Sequence, residues 1–225
     1  MQGFSAFLVR LVPFGAVAAV LYWVSRQTFP PAGNAVCIAG SVLAIFPAVF
    51  VARNLLDRHP DAGHAASVTA CLHAWVIACF GTALIKALQT YVAWRFFVIP
   101  LPQEIGFLLV AVTGTATALP VANLALRGLG APFALALSRR LATDWLYRWT
   151  RNPMVLATIL WFLAIGLWLQ SAGFVAWVLL LATPAELTFL KVYEERELEI
   201  RFGDSYRAYK ARTPFLWPRR PQPEA

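Results

Sequence analysis

The stretch 153-PMVLATILWFLAIGLWLQSAGFVAWVLLLATPAELTFL-190 decides the fold. It holds one charged residue, Glu186, and its apolar character breaks only at Gln170, Ser171, Ala172 and Gly173. Each half, Pro153–Leu169 and Phe174–Leu190, is close to the roughly 17–25 residues that a helix needs to cross the hydrocarbon core of a bilayer. A link of four residues forces the second half back antiparallel to the first, so the pair reads as a helical hairpin.

Toward the N-terminus the same pattern repeats at about Phe7–Val24, Ala35–Val51, Val68–Leu88 and Ile105–Leu126, each bounded by polar or charged residues. The chain is 60% hydrophobic and 13% charged, whereas soluble domains carry about a quarter charged residues. A water-exposed globule could not be solvated with so few charges. The predicted class is all-α: a multi-pass helical membrane protein of about six spans, ending in the hairpin and a cytoplasmic C-terminal helix. No basic cluster precedes Arg10, so the N-terminus reads as a retained first span rather than a secretory signal. The divisions expected are 1–126 (N-terminal membrane helices), 127–218 (loop, hairpin and C-terminal helix) and 219–225, a frayed tail containing Pro221 and Pro223.

The net charge of +8 sets topology. Arg127, Arg139, Arg140, Arg148 and Arg151 lie between the fourth and fifth spans. Lys191, Arg196, Arg201, Arg207, Lys210, Arg212, Arg219 and Arg220 follow the sixth, and Arg53 and Arg58 lie between the second and third. All fall on one side, leaving Arg26, Arg95 and the nearby Lys86 for the other. Because Lys and Arg gather in cytoplasmic loops, both termini are expected in the cytoplasm. No basic run interleaved with aromatics suggests a nucleic-acid groove. Cys37, Cys71 and Cys79 sit in apolar stretches and read as small buried hydrophobes, not as a disulfide framework. His59 and His64 flank Pro60, Asp61 and Gly63, but no further ligands complete a metal set, and none is expected.

Ionisable residues inside spans are functional candidates by default, which singles out His73, Lys86 and Glu186. Lys86 is near a span's end and is expected to snorkel. Asn123 suits either a bond between helices or a ligand contact. The densest polar pattern begins at Gly128-Leu129-Gly130. Tyr147-Arg148-Trp149-Thr150-Arg151-Asn152-Pro153-Met154 follows, and after the hairpin come Glu194-Glu195-Arg196 and Arg201-Phe202-Gly203-Asp204-Ser205-Tyr206-Arg207-Ala208-Tyr209. Asn152 and Pro153 suit the N-cap and first position of a helix. A helix N-terminus beside the charge of Arg151 also makes a seat for a carboxylate or phosphate. Glu194 and Glu195 diverge by about 100° on a 3.6-residue period, so one alone can face a given ligand squarely. Glu186, Tyr193 and Glu197 form one stripe, bordered by Glu194. The competing reading of this segment is a solvated acidic turn with a Glu197–Arg201 pair.

This ordered set, Gly-x-Gly, then Arg-Asn-Pro-Met opening a hairpin, then Glu-Glu, then Arg-Phe-Gly-x-x-Tyr-x-x-Tyr, resembles the isoprenylcysteine carboxyl methyltransferase and phospholipid methyltransferase superfamily. The resemblance spans Gly128 to Pro218. It implies S-adenosylmethionine as cofactor, held by Gly128, Gly130, Tyr147, Arg151, Asn152, Pro153, Glu194 and Glu195. Its implied activity is methyl transfer to a lipophilic acceptor, with Arg151, Glu186 and Glu194 as candidate catalytic groups and a bacterial inner membrane as the expected location. An acceptor carboxylate would be oriented by Arg151 or Arg148. An acceptor amine would be attracted or deprotonated by Glu186 or Glu194. The family often has His at the place of Asn152, Tyr at that of Val155 and Gly at that of Ala157. Tyr147, Tyr206 and Tyr209 are the candidates to supply the phenol missing at 155. Two other readings of the same scaffold are a sterol-type reductase using NADPH and a non-enzymatic membrane protein with a decayed site.

Overall fold

A computed structural model describes residues 2–94, 97–126 and 140–221. Among them the chain is helical, with no strand beyond an isolated bridge between Val98 and Ser171. The helices are α1 (Gln2–Arg26), α2 (Pro31–Leu43), α3 (Ile45–Arg58), α4 (Ala62–Thr90), α5 (Gln103–Leu126) and α6 (Pro153–Trp168). A continuous helix from Ala172 to Phe202, termed α7, and α8 (Asp204–Arg212) complete the order.

Four helical stretches are long and apolar enough to cross a bilayer: Pro31–Arg58, Ala62–Thr90, Gln103–Asn123 and Ala172–Phe202. Val12–Arg26 and Pro153–Trp168 are apolar but shorter. At 1.5 Å per residue the 16 residues of α6 extend only about 24 Å, less than the roughly 30 Å hydrocarbon thickness. The chain is therefore an integral membrane protein with helices in the expected order, several of them longer than the hydropathy pattern indicates.

The second span is kinked between α2 and α3. Pro47 has no N–H, and its ring would strike the carbonyl four residues earlier, at Leu43. The kink exposes the carbonyl of Ala44, which accepts a bond from Trp75 Nε1 on α4 at 3.2 Å. Ile38, Val42, Ile45, Val49 and Leu56 of this span form a core with Ala65, Leu72, Val76, Cys79, Ala83 and Ala87 of α4. Asp61 caps α4 by accepting from His64 N at 2.8 Å. Small residues along α4 let its neighbours approach closely.

Lys86 departs from expectation. Its ammonium does not snorkel to the surface but is fully buried, donating to Val24 O (2.9 Å), Gln27 O (2.6 Å) and Gln89 Oε1 (2.9 Å). It satisfies carbonyls at the end of α1 that have no intrahelical donor. Cysteine placement differs as well: Cys79 is buried, Cys37 half-buried and Cys71 exposed on the outer face of α4.

α5 packs along α6. A Cβ at Gly106 would lie 2.7 Å from the Trp168 backbone, so only glycine permits this approach. The expected hairpin joins α6 to α7 through Gln170, which adopts φ 52°, and Ser171, which caps α7 by accepting from Phe174 N at 3.2 Å. Gln170 also donates to Leu101 O at 2.8 Å, tying the hairpin tip to the start of α5.

α7 is interrupted by two π turns, Val178–Ala182 and Phe189–Glu194. The first immediately precedes Pro184, which cannot donate to the helical ladder. The second determines which side chains face inward. On an unbroken α-helix, Glu194 would sit about 80° from Glu186; absorbing one residue in a π turn reduces the offset to about 20°. Glu195 is then turned about 80° away.

At Gly203, φ of 53° reverses the chain into α8. Beyond Thr213 the expected frayed tail is in part an ordered strap. Arg151 N donates to Pro214 O (2.9 Å) and Arg219 N donates to Trp149 O (3.0 Å). These bonds put the N-terminus of α6 and the C-terminal segment at one end of the molecule. Arg196 on Asp57, at 2.8 Å, brings the end of α3 there too.

Candidate functional site

Arg151 is held from three sides at the entry to α6. Its side chain is 8% exposed, and one terminal nitrogen lies 3.0 Å from Glu195 Oε1 and 3.3 Å from the Tyr206 hydroxyl. The guanidinium also lies over the Phe215 ring, 5.6 Å from its centroid. Its Nε is buried and has no partner among the described residues.

Asn152 occupies the N-cap position, yet its side chain does not cap the helix. Its amide instead donates to Phe215 O at 2.9 Å, while Thr150 Oγ1 donates to the same carbonyl at 3.2 Å. The side-chain cap expected from sequence is thus replaced by an anchor for the strap. Pro153 follows, buried, at the first helical position.

The two glutamates separate as the π turn requires. Glu195 pairs with Arg151, with Lys210 of α8 at 2.7 Å and with Lys191 at 3.3 Å. Glu194 turns into a cavity of about 600 Å³ shared with Glu186, Tyr193 and Glu197. The Glu197–Arg201 pair forms at 2.8 Å, but Glu197 is 3% exposed, so the segment is not a solvated turn. Neither Glu186 nor Glu194 forms an ion pair among the described residues.

At its polar end the cavity is also lined by Tyr147, Arg151, Asn152, Tyr206 and Tyr209. Burial pushes the Tyr147 hydroxyl up to about 12, with the charge of Glu194 adding to the effect. Burial likewise raises Tyr206 to about 12, against the pull of Arg151. Both phenols therefore remain hydrogen-bond donors at neutral pH. Tyr209 spends its hydroxyl on Tyr147 O at 2.7 Å. Of the three candidates to replace a phenol at 155, Tyr147 and Tyr206 keep theirs at the cavity. Val155 itself is buried and lines the wall, and Ala157 is buried in α6.

The cavity continues between α4 and α7 on one side and α5 and α6 on the other. Its far wall is apolar, with Val76, Phe80 and Leu84 of α4, Val121 of α5 and Trp161 of α6. His73 lines it from α4, its ring edge-on to Phe189 at 5.1 Å and Nδ1 2.9 Å from Thr69 O. Not every sequence candidate converges here. Arg148 is exposed and absent from the lining, which removes it as a partner for an acceptor. Asn123 is buried away from the cavity, and His59 and His64 stack on each other at 5.3 Å. Gly128 and Gly130 lie outside the described residues. No group of three His, Cys, Asp or Glu side chains is arranged for a metal among the described residues.

Sequence reasoning missed Lys210 and the strap carbonyls of Pro214 and Phe215. Lys210 reaches Glu195 only because Gly203 folds α8 back on α7, so no local spacing announces the pair.

The polar end, the hairpin and the π-shifted glutamates all fall within, or border, one matched segment. Residues 102–205 match the phospholipid methyltransferase family. The match agrees with the resemblance read from the motifs and adds α5, which carried none of them. That family is one of membrane methyltransferases acting on lipids. No curated protein and no solved structure gives a significant match to the chain.

Proposed function

We propose that the protein transfers a methyl group from S-adenosylmethionine to a lipophilic acceptor that reaches the cavity from the bilayer. One observation carries the reading: a single cavity joins the Arg151, Tyr206 and Glu194 end to an apolar wall on three membrane helices. The residues fit the cofactor. Arg151 has a buried, unpartnered Nε, and the first turn of α6 has no side-chain cap, which together suit the cofactor's carboxylate. Tyr147 and Glu194 offer a donor and an acceptor for its other polar groups, and Asn152, Pro153 and Glu195 shape the seat. Gly128 and Gly130 join them on the family resemblance alone.

Bound S-adenosylmethionine would supply a methyl group already activated on a sulfonium, so the protein's tasks are positioning and exclusion of water. Arg151 is neutralised by Glu195 and poorly placed to attract an acceptor carboxylate. Glu186 and Glu194 instead give the cavity an excess of negative charge. They suit an acceptor amine, which one of them would relieve of a proton before it reacts. The basic end formed by α6, the strap and α3 faces the cytoplasm in this scheme, as do both termini. Labelling of single cysteines introduced at Arg148 or Arg212 from the outside would overturn that orientation.

The functional test is transfer of labelled methyl from S-adenosylmethionine to a lipid extract, with identification of the product. Wild type is expected to label a lipid amine and Glu194→Gln is expected not to. Thermal stabilisation by S-adenosylhomocysteine supports the proposal. Stabilisation by NADPH alone would indicate a reductase, and by neither ligand a decayed site.

A further inference from the structure

The strap has an outer face as well as an inner one. Inward, Phe215 stacks on Arg151 and on the ammonium of Lys191, whose Nζ is 4.6 Å from the ring centroid. Outward, the Arg219 N–Trp149 O bond sets the C-terminal segment beside the turn that precedes α6. There, Trp149 is 45% exposed and Trp217 73% exposed, flanked by the exposed side chains of Arg148, Arg219 and Arg220. None of these three guanidinium groups has a carboxylate partner among the described residues. The patch lies one residue or two from the point where α6 enters its apolar run, hence at the depth of lipid headgroups.

Exposed indoles at this depth favour the bilayer interface, and unpaired arginines favour negative charge. From this we infer that Arg148, Arg219 and Arg220, with Trp149 and Trp217, form a binding site for the phosphate of an anionic lipid headgroup, and that its occupation pins the strap across the mouth of the cavity. The occupant is a lipid of the surrounding leaflet rather than a soluble anion, because the indoles insert where the guanidinium groups reach. The strap is otherwise fastened at few points, mainly to Trp149, Thr150, Arg151 and Asn152. A charge-assisted contact outside those points would bias it toward closure.

The test needs no assumption about methyl transfer. The full chain is placed in nanodiscs of phosphatidylcholine alone or with added phosphatidylglycerol, and amide hydrogen exchange is followed over 213–221. Phosphatidylglycerol is expected to slow exchange in this segment about tenfold or more, an effect that weakens with salt. Native mass spectrometry should find phosphatidylglycerol retained by wild type and lost from the variant Arg148→Gln/Arg219→Gln/Arg220→Gln. That variant should melt like wild type in phosphatidylcholine, which separates lost binding from misfolding. Trp217→Ala should keep part of the effect. Equal exchange in the two membranes, or equal phosphatidylglycerol retention by the triple variant, would overturn the inference. Inorganic phosphate protecting the strap as well as the lipid does would overturn the choice of a lipid.

Discussion

Replacing Asn152 by Asp separates two roles that the sequence leaves superimposed. An N-cap tolerates the exchange, since Asp caps as well as Asn and its charge suits a helix N-terminus by about 0.3–1 kcal/mol. The Asn152 side chain, however, is a donor to Phe215 O at 2.9 Å. An aspartate there has no proton to donate and turns an oxygen toward that carbonyl. Losing the bond costs about 0.5–1.5 kcal/mol, and setting acceptor against acceptor adds about as much again. Thr150 Oγ1 still donates to the carbonyl, so the strap carbonyl is not orphaned. Setting the dipole gain against these losses leaves a destabilisation of about 1–2 kcal/mol. It should appear as a lower melting temperature in detergent and as faster proteolysis after Arg219 and Arg220. Asn152→His retains an N–H donor and should stay close to wild type in both assays. An Asp variant as stable and as protease-resistant as wild type would refute the anchoring role and return Asn152 to a simple cap.

The paired glutamates should respond differently: Glu195→Gln breaks contacts to Arg151, Lys191 and Lys210 and should destabilise the fold by about 2–4 kcal/mol, whereas Glu194→Gln should melt like wild type or higher and lose activity. Thermal melts and methyl-transfer assays on the two variants check this. Hydrogen bonding to Glu195, then to Glu199, raises Lys210 above its ordinary value, so its contribution to stability is fully present below the unfolded value of about 10.4 and is lost as pH rises through the higher folded value. Denaturation between neutral and strongly alkaline pH should show that loss in wild type and a smaller one in Lys210→Met. Gly106→Ala brings a methyl group to 2.7 Å from the Trp168 backbone and should cost about 1–3 kcal/mol by forcing α5 from α6, measurable as a melting shift.

The fold was legible where composition alone decides the outcome. Seventeen apolar residues on each side of a four-residue link can hardly be anything but a membrane hairpin, and α6 and α7 follow from it. Local chemistry was less reliable. Lys86 looked able to reach the surface, but nearby carbonyls at the end of α1 offered three acceptors and held it inside. The kink at Ala44 follows from Pro47, yet its repair by Trp75 depends on the packing of α4 and could not be read from either segment.

The candidate site shows why periodicity identified the right residues but not their arrangement. On a uniform 3.6-residue helix, Glu186, Tyr193 and Glu197 share a face and Glu194 only borders it. The π turn at Phe189–Glu194 shifts that phase, so Glu194 joins Glu186 in the cavity and Glu195 turns to the cations. A π turn widens the helix and strains its hydrogen bonding, so it persists where packing or function holds it. Here the alternative is costly. Without the shift, Glu195 would leave Arg151 buried without its carboxylate, and Lys210 would lose its shortest ion pair. The Arg151–Glu195–Lys210 cluster thus selects the π register. The register, in turn, places an unpaired carboxylate at the junction of the polar and apolar parts of the cavity.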